Sequence, residues 1–148
     1  MKRITREELV YVMSPANPAV EGVDPGEEII FETAGSSSAT GPVAVLGAKP
    51  GDTLVVEILE ITGWEQGGSG IPGAGRPSIR FIGVAPEKGK IPLAPLKVVG
   101  ESNEPDSGLI AAGTRINLPV HVPGANLAVG TTTAAVVRVR TALARSFS

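Results

Sequence analysis

Pro-Gly pairs between β-branched, apolar segments constrain the fold more than any other feature of this chain. Pro50-Gly51 lies within residues 40–58, and the same pair occurs at Pro25-Gly26 and at Pro123-Gly124. Proline presets φ at the first central position of a type II turn, and glycine supplies the positive φ of the second. The pattern therefore predicts a strand, a turn and a strand at each pair, with a hairpin over residues 40–58.

The composition agrees with one β domain. A chain of 148 residues buries roughly two thirds of its unfolded surface when it folds as a single domain. Nineteen glycines and 13 prolines suit tight turns, and a hydrophobic content of 42% excludes a disordered Pro/Gly tract. We predict that residues 1–148 form a single all-β domain, a β-sandwich or jelly-roll-like barrel of short strands joined by Pro-Gly turns.

Segments of alternating or β-branched residues locate the strands. They are residues 9–13, 29–33, 43–45, 53–61, 78–85, 114–122, 127–130 and 133–143. The last segment alternates best, because Val137 and Val139 share one face while Arg138 and Arg140 share the other. This strand is predicted to have one solvated face.

Charge and residue usage exclude several classes of function. A net charge of −2 and an aromatic content of 3% indicate no nucleic-acid partner. The absence of cysteine excludes disulfides, thiolate nucleophiles and Cys-based zinc sites. The first residues lack the apolar run of a signal peptide, and no stretch reaches the ~18 apolar residues of a membrane span. We therefore expect no membrane association and a cytoplasmic location.

An ordered set of segments resembles the acetamidase/formamidase family over nearly the whole chain. The segments are Asp24-Pro25-Gly26 with Phe31-Glu32-Thr33, residues 40–58, Gly63-Trp64, residues 82–86, residues 112–114, residues 118–125 and residues 133–139. The resemblance implies a β-sandwich or jelly-roll-like core. It also implies metal-assisted hydrolysis of the C–N bond in short linear amides, which needs a polarising cation, an activated water and a general acid.

The chain departs from the family at the three loop motifs that carry the polar groups. Where the family has an Asp with a Gly-Gly-Gln run, this chain has only residues 34–39, which include three serines. The His-Gly-Gly-Asn-x-Asp run maps loosely onto residues 99–106, without its histidine. The Asp-x-His-Ala-Ala run is absent, since Gly130 is followed directly by Thr131. The region after Trp64 is also short. The frame of the family is present, and its catalytic loops are not.

His121 is the only histidine and therefore the only imidazole available as a base or a ligand. It follows the predicted strand at residues 114–122, in a segment that belongs to the family's frame. A structural role is the preferred interpretation, and a catalytic role is the alternative. A zinc site with one histidine would need carboxylates for its other ligands.

Glu101, Asn103 and Asp106 are the candidate metal ligands, because oxygen donors suit a hard cation such as Ca²⁺ or Mg²⁺. Pro105 interrupts any EF-hand-like spacing, so a solvated acidic loop is the preferred interpretation. The cofactor is unknown, and it is a divalent metal if the chain is active. The glycines of residues 67–75 suit a linker, and the threonines at 131–133 lack the neighbouring base that a nucleophile requires.

Three hypotheses follow. The first is a loop-reduced, catalytically silent acetamidase/formamidase-like scaffold. The second is a metal-dependent amidohydrolase acting on a short amide, with a site built from Glu101, Asn103, Asp106 and His121. The third is a homo-oligomeric assembly module, in which edge strands around residues 92–95 or 136–140 pair between subunits.

Overall fold

Twelve β-strands make up the regular structure of the described residues, which contain no helix. The structure is a computed structural model and describes residues 1–35, 38–63, 79–92, 112–131 and 133–144. The strands are β1 (Lys2–Ile4), β2 (Leu9–Val10), β3 (Val12–Met13), β4 (Glu21–Val23), β5 (Glu28–Gly35), β6 (Ala39–Val45), β7 (Thr53–Gly63), β8 (Ile79–Gly83), β9 (Ile91–Pro92), β10 (Arg115–Pro119), β11 (Leu127–Thr131) and β12 (Thr133–Ala144). The predicted all-β fold is confirmed.

Two five-stranded sheets form the sandwich. Sheet A has the order β1-β5-β12-β7-β10, and sheet B has the order β2-β6-β11-β8 with β4 beside β6. The strands β3 and β9 form a separate two-stranded sheet, and Met13 of β3 packs against sheet B. The main core joins apolar side chains of both sheets, such as Phe31 and Val137 from sheet A and Val43 and Leu127 from sheet B. The fold is therefore a sandwich of two sheets.

The sequence predicts the positions of the long strands correctly, but its predictions for the first strands of the chain are wrong. The segment predicted as one strand at residues 9–13 is two strands, because the chain bends at Tyr11 and passes from sheet B to the small sheet. The strand β1 was not predicted, since Lys2 and Arg3 give it little apolar character. In β12, Val137 and Val139 are buried as predicted.

The three Pro-Gly pairs form the predicted turns. The backbone N–H three residues after the start of each turn donates to the first carbonyl, at 3.1 Å for Glu27, 3.0 Å for Asp52 and 2.9 Å for Ala125. The glycines have φ values of 89°, 97° and 82°. Because each value is positive, a side chain at these positions would strain the backbone.

The turns connect the two sheets, so the predicted hairpin over residues 40–58 is wrong. Pro25-Gly26 links β4 to β5, Pro50-Gly51 links β6 to β7, and Pro123-Gly124 links β10 to β11. In every case the chain leaves one sheet and enters the other. Type II turns splay the flanking strands, whereas hairpins favour the primed turns whose twist matches the strands. All three turns lie at one end of the sandwich, which we call the turn end.

The central strand of sheet B, β11, is buried on both faces of the sheet. All five residues of β11 are buried, and so are most residues of β6. A second apolar cluster, of Met13, Ala39, Phe81 and Ala128, lies on the face away from the main core. Strands buried on both sides need small or apolar residues throughout, which explains why β6 and β11 do not alternate.

The outer face of sheet A carries charges of alternating sign from strand to strand. Glu28 of β5 is in register with Arg140 of β12, Arg140 with Glu57 of β7, and Glu57 with Arg115 of β10. Arg138 and Arg140 each donate to the Glu28 carboxylate at 3.0 Å. Opposite charges on neighbouring strands favour this strand order.

The strand β12 is interior, which corrects one of the predicted assembly edges. It pairs with β5 over residues 133–140 and with β7 over residues 135–144. Both of its hydrogen-bonding edges are occupied within the chain. Residues 136–140 therefore do not form an edge, and residues 93–95 lie outside the described residues.

The Glu28 carboxylate is expected to make stability depend on pH. Hydrogen bonds from Arg138, and then from Arg140, hold its pKa below the ordinary value of 4.5. A lowered folded-state pKa adds stability above pH 4.5, and this stability is lost as the pH falls through the lowered pKa. In urea unfolding, the stability lost in Glu28→Gln should be largest at neutral pH and should shrink in acid.

The matched control is the same substitution in a chain that also carries Arg138→Met and Arg140→Met. Without the two donors, the effect of Glu28→Gln should no longer change with pH. If the single variant and the wild type respond identically to acid, the ion pairs do not determine the acid dependence.

Candidate functional site

Six strand ends that flank the predicted loop departures meet at one end of the sandwich. β5, β7 and β11 end there, and β6, β8 and β12 begin there. The registers place Thr133 beside Gly35, Ala135 beside Gly63, and Thr131 beside Ile79. We call this the loop end, and it lies opposite the turn end. The resemblance places two of the family's three loop motifs at this end, after β5 and after β11, while the other maps onto residues 99–106, outside the described residues. The loop end is therefore the candidate site.

Two buried threonines join the sheets at the loop end. The Thr33 and Thr131 Oγ1 atoms are 2.6 Å apart, and both side chains are almost fully buried. Thr33 Oγ1 donates to the Ala135 carbonyl at 3.1 Å and accepts from the Ala135 N–H at 3.0 Å. Because a hydroxyl has one proton and two acceptor positions, Thr131 is the donor to Thr33. The Thr33 hydroxyl thus has all three of its hydrogen bonds.

Backbone packing leaves little space beside this pair. A Cβ added at Gly130 would lie 2.6 Å from the Ser38 carbonyl oxygen, so only glycine allows this approach. Thr40 Oγ1 donates to the Glu32 carbonyl at 2.8 Å, which holds the start of β6 against β5. The ends of β5, β6 and β11 are therefore in direct contact.

Among the described residues at the loop end, the buried polar side chains carry hydroxyl groups. They are those of Thr33, Ser38, Thr40 and Thr131. The Thr131 hydroxyl binds a second hydroxyl, whereas a nucleophilic threonine requires a base to take its proton. Among the described residues, no three His, Asp or Glu side chains lie together so that they could hold a metal ion.

His121 lies at the turn end, just after β10, and is half-buried. Its neighbour Val120 donates to the Asp52 carbonyl at 2.9 Å and accepts from the Gly51 N–H at 3.0 Å, which ties this segment to the Pro50-Gly51 turn. Pro119 is in register with Thr53 at the start of β7, and β7 runs on to Gly63 at the loop end. Ten residues of strand span roughly 33 Å. The histidine is thus far from the candidate site.

The three predicted metal ligands, Glu101, Asn103 and Asp106, lie outside the described residues. So do Trp64 and the glycine-rich residues 67–75. A metal site built from Glu101, Asn103 and Asp106 stays a prediction.

A cleft of about 190 Å³ lies beside β2 and the start of β6, next to the loop end. Leu9, Val10, Val20 and Pro42 form its apolar part, and the carboxylates of Glu7 and Glu8 are at its rim. Asn17 also lines it, but the amide of Asn17 donates to the Val12 carbonyl at 2.9 Å. Sequence analysis did not find this cleft, because its residues come from three separate segments.

Comparison with solved structures identifies the architecture. The chain superposes on an acetamidase from Bacillus halodurans with a TM-score of 0.79, at 23% identity over 98% of this chain and 71% of that one. A predicted acetamidase/formamidase from Thermoanaerobacter tengcongensis gives 0.80, at 23% identity over 99% and 70%. An acetamidase from Yersinia enterocolitica gives 0.80, at 16% identity over 100% and 69%. The chain has the acetamidase/formamidase fold.

The expectation from the sequence resemblance is confirmed at the level of fold. A γ-lactamase from Delftia acidovorans shares the fold less closely, with a TM-score of 0.65 at 20% identity over 97% of this chain and 68% of that one. No protein-family model and no curated protein matches the chain. In the described residues, no helix is long and apolar enough to cross a membrane.

Two buried threonines provide a matched test of the contact at the loop end. Thr33→Val removes the hydrogen bonds of the Thr33 hydroxyl with the Ala135 N–H, the Ala135 carbonyl and the Thr131 hydroxyl, and should cost about 1–3 kcal/mol of unfolding free energy. The hydroxyl of Thr141 is equally buried but has no hydrogen-bond partner among the described residues. Thr141→Val should therefore be neutral or stabilising.

Chemical denaturation of both variants measures this difference. Equal losses of stability in the two variants would contradict the role given to the Thr33 hydroxyl. Circular dichroism of each variant verifies that the β structure is retained.

Proposed function

We propose that residues 1–148 form a single acetamidase/formamidase-like scaffold without amidase activity. The departure of the sequence from the family's loop motifs carries this proposal, because residues 34–39 and the direct join of Gly130 to Thr131 lack the polar groups of those motifs. The flanking strand ends are held together by the contact between Thr33 and Thr131.

The side chains of the chain support the proposal. Amide hydrolysis needs a polarising cation, an activated water and an acid that protonates the leaving amine. The whole sequence offers one histidine and no cysteine, and that histidine lies at the turn end. The buried polar side chains described at the loop end are hydroxyls, which are uncharged ligands for a hard cation and do not ionise near neutral pH.

The length of the chain also supports the proposal. The chain spans 71%, 70% and 69% of the three acetamidase-type structures while it is itself covered almost completely. A scaffold whose connections have been shortened accounts for this ratio. Surface connections tolerate such changes because the entropy of loop closure varies slowly with loop length.

The scaffold proposal also covers the substrate, the partners, the location and the assembly of the chain. A short amide is the substrate class that the names of the solved acetamidases suggest, and we propose that this chain does not turn it over. No nucleic-acid or membrane partner, a cytoplasmic location and a homo-oligomeric state are parts of the same proposal.

Ammonia release from formamide and acetamide tests the proposal. The purified chain should release no more ammonia than a heat-denatured sample, whether Zn²⁺, Ca²⁺ or Mg²⁺ is added or not. The acetamidase from Bacillus halodurans, assayed in parallel, is the positive control.

Metal-dependent release that is lost in His121→Ala or in Asp106→Asn would support the amidohydrolase hypothesis and overturn the scaffold proposal. Two substitutions are compared because each removes a different part of the predicted site. A matched variant, Glu87→Gln, replaces an exposed carboxylate outside that set.

A further inference from the structure

Few contacts attach the first strand, β1, to sheet A. β1 has three residues and lies at the edge of the sheet, paired in parallel with β5. Lys2, Arg3 and Ile4 are in register with Ile29, Ile30 and Phe31. Of the three β1 side chains only Ile4 is buried, so little apolar surface holds the strand in place.

Ion pairs supply much of the remaining attachment. Lys2 Nζ lies 3.7 Å from a Glu21 carboxylate oxygen, and the Arg3 guanidinium binds the Glu32 carboxylate. Arg6, just after the strand, lies 3.9 Å from the same carboxylate. The Lys2 and Glu21 side chains are 41% and 43% exposed, so dissolved salt screens this pair effectively, whereas the Glu32 carboxylate that binds Arg3 is 13% exposed and is screened less.

The chain between β1 and β2 is a short connector from one sheet to the other. Glu8 is anchored in sheet B, because its carbonyl accepts from the Gly41 N–H at 2.9 Å. The turn before it is closed by the Glu8 N–H donating to the Thr5 carbonyl at 3.1 Å. When β1 leaves β5, residues 1–7 can extend by about 23 Å from this anchor.

The departure of β1 uncovers an edge that another strand can occupy. The backbone of residues 29–31 in β5 loses its partner, and an exposed strand edge accepts any chain that completes the ladder. The sequence that fits it best is β1 itself, because Ile4 is in register with Phe31 and Arg3 pairs with Glu32 of β5, while Lys2 pairs with Glu21 of β4 in sheet B.

We propose that β1 is an exchangeable strand and that the β5 edge takes the β1 strand of a second copy of this chain. The exchanged dimer repeats every contact of the closed chain, with Lys2 on Glu21 and Arg3 on Glu32 of the other copy. Exchange of an identical element is a low-cost route to dimers. The balance therefore depends on the connector, protein concentration and ionic strength. This assembly is independent of whether the loop end catalyses a reaction.

Cysteine trapping tests the exchange, because the natural chain has no cysteine. Arg3→Cys and Ile30→Cys place thiols at register partners on the outer face of sheet A. The two single variants, one of them isotopically labelled, are mixed at high concentration, taken through about 1 M NaCl to screen the ion pairs, returned to low salt and oxidised. Mass spectrometry then counts the disulfide-linked mixed dimers.

The control mixture combines Arg3→Cys with Glu60→Cys, whose side chain is exposed on β7 and is not a partner of β1. A chain carrying both Arg3→Cys and Ile30→Cys should close an internal disulfide when it is oxidised without mixing. We expect severalfold more mixed dimer for the Arg3→Cys and Ile30→Cys pair than for the control pair, and more after the salt step than without it. Equal yields in the two mixtures would overturn the proposal.

The unmodified chain provides a second measurement in case the thiol variants fold poorly. The backbone amides of residues 2–4 should exchange hydrogen faster in about 1 M salt than in 0.1 M salt, and a dimer should form at high concentration after the salt step. A mass of one chain at every concentration, before and after that step, would overturn the proposal.

Discussion

The direct contact of the two sheets at the loop end is the constraint on which the rest of the account depends. Thr33 of β5 and Thr131 of β11 share a 2.6 Å hydrogen bond, and the glycine before Thr131 lets the backbone of Ser38 come within reach. These contacts bring together the strand ends that carry catalytic loops in the resembling family. The fold matches that of the solved acetamidases while these strand ends stay in direct contact.

The sequence predicts the class of fold well and the path of the chain only in part. β-Branched residues and Pro-Gly pairs predict strands and turns, and these predictions depend on local physics. Whether the strands flanking Pro50-Gly51 pair with each other depends on turn geometry, and the type II turn sends them into different sheets. The sequence does not predict the strand β1, because Lys2 and Arg3 are polar. The ion pairs that hold it involve Glu21 and Glu32, which are distant in sequence.

The sequence indicates the candidate site mainly by the family motifs that it lacks, and less by the residues that it contains. The family motifs that the sequence lacks around residues 34–39 and after Gly130 indicate the connections at the loop end, because these departures are visible in the residues. The pairing of Thr33 with Thr131 was not predictable, since 98 residues separate two side chains that β propensity alone explains. His121 drew attention as the only imidazole, yet the register of β10 with β7 places it at the opposite end.

The most direct test of the closed loop end is a nuclear magnetic resonance titration of the folded chain with acetamide and Zn²⁺. The account predicts that the backbone amide signals of Thr33, Ser38 and Thr131 keep their positions throughout the titration. Saturable shifts confined to these three residues and their neighbours would show that the loop end binds the substrate or the metal. That result would contradict the account.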